Sequence, residues 1–428
     1  MTVDVAPASD PVTRSALRKA SWRLLPLIGL GYATAYMDRV NISFASLQMN
    51  RDLHFSNTVY GFGAGLFFLS YAACEIPSNL LLYRFGARRW LARIMVTWGL
   101  IAMAMVFVRT PLQFYAARFF LGMAEAGFFP GVVFYLMQWF PPEQRGRAVS
   151  RFYIGFPLSS VFMGLVAGAL LNLQGHLGLA GWQWLFIVEG LPAVILGILF
   201  FLLLPETPAQ AKWLTPEERD AIMTRVPAPK DPSTHALAPA FKDSRVWLLG
   251  LFIFFTLASG YAYSFSAPAI VQKVTGLPIT NVGYLIAAMS LVGAVAMLIS
   301  AAIADRRRRP FSHVIPACIV IAAAFVVFGL ATNPVVSLTS LLVIVVSNYS
   351  YQGPLWSIGS SFLAGRRGAA AVAAMNSIGI LGGFLGPYWM GFARDLTGDY
   401  QHGLLAMAVP MLLAAGIMIY LSTRSRPA

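Results

Sequence analysis

Two charged pairs lie within stretches of sequence that are otherwise apolar. Asp38 and Arg39 are adjacent in the run 24–48, and Arg118 and Glu125 lie in the run 114–139. An ionised side chain at the centre of a bilayer costs at least ~2.5–3.5 kcal/mol on insertion scales, so it needs compensation from the protein interior. Carboxylates bind and release protons, and arginine binds a carboxylate through two parallel hydrogen bonds. The four residues therefore predict chemistry on protons and anions within a membrane.

We assign provisional roles to these four residues from their chemistry. Asp38 and Glu125 are the candidate proton carriers, and Arg39 and Arg118 are the candidates for binding a substrate anion or holding the acidic partners. Seven residues are about two helical turns, so Arg118 and Glu125 share a face and lie roughly 10 Å apart along the axis. Gly122 between them leaves room for substrate or for another helix. The alternative is a purely structural ion-pair network between the first and fourth segments.

Polar and aromatic residues elsewhere could complete a substrate cavity. Hydroxyl and amide groups can hydrogen-bond to substrate oxygens, and a tryptophan can pack on a carbon skeleton. Interhelical packing or anchoring at the membrane interface is the alternative for each. Glu75 could carry a proton or pair with a neighbouring helix, and we interpret Glu189 as structural. The cavity candidates are Tyr71, Tyr261, Tyr263, Ser264, Gln352, Trp356, Asn376 and Ser377.

The composition indicates a membrane protein. Of 428 residues, 58% are hydrophobic and 11% are charged, and the mean hydropathy is +0.67. A soluble protein carries about 25% charged residues. Cys74 and Cys318 lie in different halves of the chain, and the five histidines are scattered without ligand spacing, so neither a metal site nor nucleophilic catalysis is indicated. We expect no enzymatic activity and no cofactor, with the proton as coupling ion.

Twelve apolar runs are long enough to cross a bilayer as helices. One long polar stretch, rich in proline, separates the first six runs from the last six, and a short helix is expected within it at 216–226. We interpret this stretch as a connecting loop, since it is too short to build a core of its own. The predicted spans are 24–48, 58–82, 91–108, 114–139, 150–171, 182–204, 246–270, 281–304, 313–331, 335–361, 369–393 and 402–422.

These spans predict five parts in the chain. They are a cytoplasmic tail at 1–23, a six-helix bundle at 24–204, a cytoplasmic linker at 205–245, a second six-helix bundle at 246–422 and a cytoplasmic tail at 423–428. The two bundles also repeat short features about 222 positions apart, among them Tyr83-Arg84 and Asp305-Arg306. This pattern suggests a duplicated unit, in which substrate binds at the midplane between two rocking halves.

The distribution of positive charge predicts the orientation. The net charge of +14 could suggest nucleic acid, but most of the 31 Lys and Arg residues fall in the N-terminal region and in every second loop. Cytoplasmic loops carry such an excess, and the first 21 residues lack the apolar core of a signal peptide. We therefore expect a multi-pass membrane protein with both termini cytoplasmic. Its expected partners are the lipid bilayer and a small organic anion, with no nucleic acid, and we expect a monomer. The loops on the other side hold Arg51, Arg109, Lys273 and Arg394.

The loop between the second and third segments resembles a signature of the major facilitator superfamily. Residues 79–89 (NLLLYRFGARR) match its Gly-x-x-x-Asp-Arg-x-Gly-Arg-Arg pattern, with Asn79 and Tyr83 replacing the first Gly and the Asp. The second-half copy at 301–306 (AAIADR) keeps the Asp and the Arg. The resemblance implies that these loops help to gate the cytoplasmic side. The gating candidates are Arg84, Arg88, Asp305 and Arg306.

Further motifs are similar to those of the anion:cation symporter family within this superfamily. They are 37–44 (MDRVNISF), 75–79 (EIPSN), 86–90 (GARRW), 181–186 (GWQWLF), 189–190 (EG), 205–208 (PETP) and 376–379 (NSIG). The similarity extends from about Trp22 to Tyr400 and is greatest to bacterial tartrate- and phthalate-type permeases, which implies location in the bacterial inner membrane.

The resemblance implies an all-α membrane protein with twelve transmembrane helices in two pseudo-symmetric halves. Such proteins carry an organic carboxylate inward together with protons, and their acidic and arginine positions matching 38, 39, 118 and 125 serve those roles. A proton-driven antiporter or exporter of an organic anion or drug is the alternative. Segment 5 lacks a clear Gly-x-x-x-Gly-Pro antiporter motif, since Gly155-Phe-Pro157 stands there. A receptor without transport activity is disfavoured because no signalling domain is appended.

Overall fold

The computed structural model describes residues 10–153, 155–226, 242–307, 309–355, 358 and 368–424, without the side chains of 147, 150, 305 and 368–373. Helices account for nearly all of the first half of the chain. They are α1 (Pro11–Asp52), α2 (Asn57–Phe85), α3 (Ala87–Ala104), α4 (Pro111–Glu125), α5 (Phe128–Met137), α6 (Pro142–Tyr153), α7 (Gly155–Leu171), α8 (Gly181–Leu203) and the linker helix α9 (Pro216–Arg225).

The second half repeats the helical architecture. Its helices are α10 (Ser244–Thr275), α11 (Ile279–Arg307), α12 (Phe311–Leu330), α13 (Pro334–Ser350), α14 (Gly368–Ile380), α15 (Gly382–Thr397), α16 (Gln401–Ala406) and α17 (Ala408–Arg424). Among the described residues, ten helices or helix pairs are long and apolar enough to cross a membrane. The 42-residue α1 and the pair α14–α15 occupy the first and eleventh predicted segments. The predicted fold of twelve spans is therefore confirmed.

The first helix is longer than the predicted span 24–48, because it begins within the predicted tail. The Asp10 side chain accepts hydrogen bonds from the first-turn amides of Val12 and Thr13, and Pro11 stands at the first helical position. The Glu218 carboxylate accepts hydrogen bonds from Ser15 Oγ at 2.8 Å and Lys19 Nζ at 2.9 Å. These contacts hold the expected linker helix, α9, against the start of α1.

The fourth predicted segment is also divided, contrary to the continuous span 114–139. α4 ends at Glu125, and α5 begins at Phe128. Gly127 between them has φ +87°, and a Cβ there would lie 2.4 Å from Ser78 Oγ. Only glycine adopts this conformation without strain in so little space. The break directly follows one of the predicted functional residues.

The two halves pack closely at the end of the bundle opposite to both termini. A Cβ added to Gly61 in α2 would lie 2.2 Å from the Pro387 carbonyl oxygen in α15, and one added to Gly164 in α7 would lie 2.5 Å from the Gly283 oxygen in α11. Small residues let helix backbones approach this closely in a membrane. The orientation predicted from charge makes this the outer end.

Candidate functional site

A cavity of about 210 Å³ lies between the two halves. Its walls come from α1, α2, α5, α6 and α7 on one side and from α10, α11, α13 and α14 on the other. Ser377 and Arg118 do not line the cavity, and Trp356 lies outside the described residues. The predicted residues that line it are Arg39, Tyr71, Tyr261, Tyr263, Ser264, Gln352 and Asn376.

Arg39 lines the cavity and also hydrogen-bonds to Glu125, the last residue of α4 before the break. Its Nε and Nη2 donate to the same Glu125 oxygen, Oε1, at 2.8 and 2.5 Å. The second oxygen, Oε2, is buried and has no hydrogen-bond partner among the described residues. The guanidinium also lies 5.1 Å from the ring centroids of Tyr36 and Tyr71. Arg39 is thus held by one carboxylate oxygen and by the faces of Tyr36, Tyr71 and Phe67, while it still lines the cavity.

Arg118 lies behind the cavity rather than in its wall. It is fully buried, and its Nη2 donates to the Ala64 carbonyl oxygen at 3.3 Å. Its Nε and Nη1 have no hydrogen-bond partner among the described residues. The Arg118 guanidinium lies 5.0 Å from the ring centroid of Phe67, and the Arg39 guanidinium lies 5.6 Å from the same centroid. Phe67 therefore separates the two arginines.

The pairing of charges crosses between helices. Glu125 hydrogen-bonds to Arg39 of α1 rather than to Arg118, which is two turns away on its own helix. Asp38 lies close enough to Arg118 for their charges to interact, and no described residue forms a salt bridge with Arg118. The space expected at Gly122 is filled by α2, since a Cβ there would lie 2.1 Å from the Phe67 oxygen. Gly122 therefore serves helix packing and leaves no room for substrate in this structure.

Asp38 faces away from the cavity. Its Oδ1 accepts a hydrogen bond from Asn41 Nδ2 at 3.2 Å, and Oδ2 has no partner among the described residues. Glu189 of α8 lies near Asp38 and is 2% exposed, and neither of its carboxylate oxygens has a hydrogen-bond partner among the described residues. The acidic residue interpreted as structural thus lies beside a candidate proton carrier.

Glu75 connects the two halves at the edge of the cavity. Its Oε1 accepts a hydrogen bond of 2.7 Å from Asn376 Nδ2, and its Oε2 is buried without a hydrogen-bond partner among the described residues. Glu75 belongs to α2 and Asn376 to α14. The structure therefore shows Glu75 paired with a helix of the other half, which was one of its two predicted alternatives.

Sequence reasoning missed an aromatic wall of the cavity. The rings of Tyr32 and Tyr36 pack edge to face with their centroids 5.1 Å apart. The rings of Tyr36 and Phe156 pack in the same way, with 4.5 Å between their centroids. The spacing of 32, 36, 39 and 43 along α1 places these positions on one helical face, so it could have revealed them. Asn348, which also lines the cavity, had no comparable signal.

The gating candidates that are described make contacts within their own half. The Arg88 backbone N donates to Glu206 Oε1 at 3.3 Å, and the Arg88 guanidinium lies 5.3 Å from the Phe201 centroid. Arg84 lies 5.7 Å from the centroid of Phe85. Glu206 thus supplies a carboxylate to the loop that has Tyr83 in place of Asp. Arg306 is exposed, and the Asp305 side chain lies outside the described set.

Comparisons with known proteins agree with this architecture. A family model described as Major Facilitator Superfamily matches residues 28–387. The chain is 42% identical over 414 residues to a "Putative tartrate transporter" of Agrobacterium vitis, covering 96% of this chain and 92% of that protein. It is 37% identical over 403 residues to a "Quinolone resistance transporter" of Acinetobacter baumannii, covering 93% of each.

A solved structure shows the same fold. It is a bacterial homolog of the human lysosomal transporter Spinster, in an inward-facing and unoccupied conformation, with a TM-score of 0.74 and 18% identity. The likeness covers 98% of this chain and 100% of that one. With twelve spans in two halves around a central cavity, the chain belongs to the major facilitator superfamily and is a multi-pass membrane transporter, not an enzyme.

Proposed function

We propose that the protein takes up a small organic carboxylate together with protons by alternating access, across the inner membrane of a bacterium. The substrate class would include tartrate, phthalate and related sugar or aromatic acids. The observation that supports this most is the position of Arg39, which lines the cavity and is hydrogen-bonded to a single oxygen of buried Glu125. The tartrate-transporter name of a relative at 42% identity supports the same substrate class.

Arg39 is the group proposed to bind the substrate carboxylate. Its planar fork fits a carboxylate through two hydrogen bonds, and it stays charged at every physiological pH. Tyr71 and Tyr261 line the same cavity and offer hydroxyls to the remaining substrate oxygens. The cavity volume of about 210 Å³ lies below the ~300–1,000 Å³ of pockets for drug-sized ligands. A small organic acid therefore fits the cavity volume and the polar groups of Arg39, Tyr71 and Tyr261 best.

Proton coupling follows from competition for Arg39. Protonation of Glu125 neutralises its carboxylate and frees the Arg39 fork for the substrate. When substrate and proton leave on the cytoplasmic side, the Arg39–Glu125 pair forms again and compensates both buried charges. Asp38 is proposed as a second proton carrier. The positive charge of Arg118 is proposed to stabilise the Asp38 carboxylate after the proton has left. The arrangement links protonation to occupancy without an additional ion.

Export of an organic anion or drug by proton antiport is the second candidate. The aromatic cavity wall favours it, as does the name of the relative that is a quinolone resistance transporter. The two functions require opposite directions of proton movement relative to the substrate. The direction of the pH gradient that drives accumulation therefore distinguishes them.

The test uses purified protein reconstituted into lipid vesicles with radiolabelled tartrate outside. We expect tartrate to accumulate when the exterior is acidic, and a protonophore to abolish the accumulation. Accumulation that instead needs an acidic interior would show antiport. If tartrate is not carried, thermal-shift screening against a panel of carboxylic acids selects the substrate for the same assay. Lack of proton dependence with every bound acid would refute symport.

A further inference from the structure

A second cavity, of about 350 Å³, lies at the end of the bundle opposite to both termini. It is formed by the end of α1, the start of α2, the end of α10 and the second part of α15, so both halves contribute to its wall. We call it the outer cavity. Its polar lining residues include Asn50, Asn57, Tyr60, Gln272 and Tyr400.

The outer cavity gathers an unusual amount of positive charge. Its lining includes Arg51, Lys273 and Arg394, which are three of the four cationic residues in the loops predicted to face outward. No acidic side chain is among the described lining residues. Loops on that side are normally poor in Lys and Arg. The convergence of these rare cations from three helices therefore needs a reason other than membrane topology.

Two carboxylates flank the outer cavity without lining it, and one of them, Asp52, forms a long salt bridge with Arg51. Asp395 follows Arg394 but accepts four hydrogen bonds from Asn57 and Thr58 at the start of α2. Asp52 accepts a hydrogen bond from Trp182 Nε1 at 3.2 Å and lies 4.0 Å from Arg51. The positive charge of Lys273 has no salt-bridge partner among the described residues. The outer cavity thus keeps an excess of positive charge.

The outer cavity lies directly above the central one. On α1, Phe44 lines the central cavity and Leu47 the outer one. On α10, Pro268 lines the central cavity, and the adjacent Ala269 lines the outer one. Tyr60 in the outer cavity donates to the Phe265 carbonyl oxygen at 2.9 Å, which joins the halves at this level. α1 and α10 therefore extend from the wall of one cavity into the wall of the other, and along α10 the two linings overlap at 265–268.

We propose that the outer cavity is a docking site for organic anions on the outer side of the transporter. Its cations attract a carboxylate substrate before the outer end opens and hold it next to the passage to Arg39. Clefts lined by charge of one sign raise the local concentration and association rate of an oppositely charged ligand, and salt weakens this effect. The direction of substrate movement rests on the proposed function, whereas the preference of the cavity for anions does not.

The first test measures the charge preference directly, without transport. Gln272→Cys is made in a background with Cys74→Ser and Cys318→Ala, and the purified protein in vesicles is treated with an anionic or a cationic methanethiosulfonate reagent. After correction for their rates with a free thiol, we expect the anionic reagent to react about tenfold faster. The preference should decline with added salt and with the additional changes Lys273→Gln and Arg51→Gln. Equal rates, or a preference for the cationic reagent, would overturn the proposal.

The second test measures tartrate uptake from outside at low ionic strength. Lys273→Gln with Arg51→Gln should raise KM about threefold or more while leaving kcat unchanged, because docking precedes the transport step. Arg109→Gln is the matched control, since Arg109 is the outward-facing cation that does not line the outer cavity. An unchanged KM in the double variant, or an equal rise in the control, contradicts docking. Absence of tartrate uptake in the unaltered protein would concern the proposed function alone, and the reagent test would still decide the proposal.

Discussion

At the scale of single residues, the two buried arginines differ in what surrounds them. Arg39 has a carboxylate partner and borders a cavity, whereas Arg118 contacts a backbone carbonyl oxygen and the face of Phe67. Both carry a charge that is costly within a membrane. Only Arg39 can exchange its partner for a ligand without movement of a helix. The structure therefore supports different roles for Arg39 and Arg118, although the two residues are of the same type.

Replacement of Glu125 by glutamine tests its role as proton carrier. Glu125→Gln keeps the size and a hydrogen-bond acceptor for Arg39, but it cannot release a proton. We expect the variant to lose proton-driven accumulation of tartrate while exchange between preloaded vesicles persists at least in part. Uphill accumulation at the normal level would exclude Glu125 as an obligatory carrier.

The two arginines should respond differently to lysine. Arg39→Lys keeps the charge but removes the bidentate fork, so tartrate affinity should fall about tenfold, or ~1.4 kcal/mol. Arg118→Lys should change the affinity less than twofold in protein that remains folded. Calorimetry with tartrate measures both, and thermal stability is the control, because removing one partner of a buried pair can cost ~3–5 kcal/mol. An equal loss of affinity in folded Arg118→Lys would make Arg118 a ligand of the substrate.

At the scale of elements, breaks in helices place the polar groups. The chain leaves α4 immediately after Glu125 and turns at Gly127 before α5 begins. α14 likewise ends at Ile380, four residues after Asn376, which contacts Glu75 of the other half. Interrupted helices within a membrane are tolerated where they are buried or border a cavity. Both breaks occur close to the central cavity.

The turn after α4 should not tolerate a side chain. Gly127→Ala forces a non-glycine residue into φ +87°, at a cost of roughly 1–2 kcal/mol, and its Cβ would lie 2.4 Å from Ser78 Oγ. We expect lower thermal stability and impaired proton coupling, because Glu125 lies two residues before the turn. Gly146→Ala in α6 is the control, since nothing lies within 4 Å of the added Cβ. Equal stability of the two variants would show that the turn adapts.

Asp395 fastens α15 of one half to the start of α2 in the other. Its oxygens accept hydrogen bonds from the backbone N and the side chain of both Asn57 and Thr58, at 2.6–3.2 Å. Partial burial would raise the pKa of Asp395, but these hydrogen bonds outweigh burial and hold its pKa below the usual value. The contribution of the ionised group is complete above the ordinary pKa of ~3.9 and is lost only as pH falls through the lower value. Asp395 therefore contributes no pH dependence between about pH 5 and 8.

Asp395→Asn should loosen the outer end at neutral pH. An amide offers one oxygen to the four donors of α2 and places an NH₂ against them. Spin labels at Leu112→Cys and Leu330→Cys, in a background without Cys74 and Cys318, would report the distance between the halves, since both positions are exposed. We expect the population with the longer distance to increase. Asp399→Asn is the control, because the described hydrogen bonds of Asp399 lie within its own half; an identical shift there would contradict a specific fastening role for Asp395.

At the scale of the whole molecule, the halves are in contact at the outer end and enclose the central cavity below it. The contacts bring backbone against backbone at Gly61, Gly164 and Gly283, and aromatic rings also meet across the interface, with 5.7 Å between the ring centroids of Phe62 and Phe384. Because these contacts lie at one end of the bundle, the halves can separate there as rigid bodies. This agrees with transport by rocking of two halves around a site at the midplane.

A reversible cross-link tests whether the outer ends must separate. Asn172, which directly follows α7, donates from its Nδ2 to Thr280 Oγ1 of α11 at 2.9 Å. Asn172→Cys with Thr280→Cys, in a background lacking Cys74 and Cys318, should lose tartrate transport on oxidation and regain it on reduction. Each single variant should remain unaffected by the oxidant. Full transport by the cross-linked protein would show that this part of the interface does not open.

The sequence by itself determined much of this protein. Apolar runs of membrane-spanning length predicted the helices, and charges inside those runs identified Asp38, Arg39, Arg118 and Glu125 as buried polar groups. These inferences succeed because the bilayer imposes length and hydrophobicity on every spanning helix. Charged, polar and aromatic residues within those runs also predicted seven of the residues that line the cavity.

Only the tertiary structure decided which charges pair and which reach the cavity. Arg39 and Glu125 lie 86 positions apart, and their hydrogen bond depends on the rotation of α1 against α4. The placement of Arg118 behind Phe67 depends likewise on the approach of α2 at Gly122. Local sequence determines which face of a helix a residue occupies. The packing of neighbouring helices determines which side chains or cavity that face contacts. The outer cavity has the same origin, because its cations come from helices that are distant in sequence and adjacent only after the halves have packed.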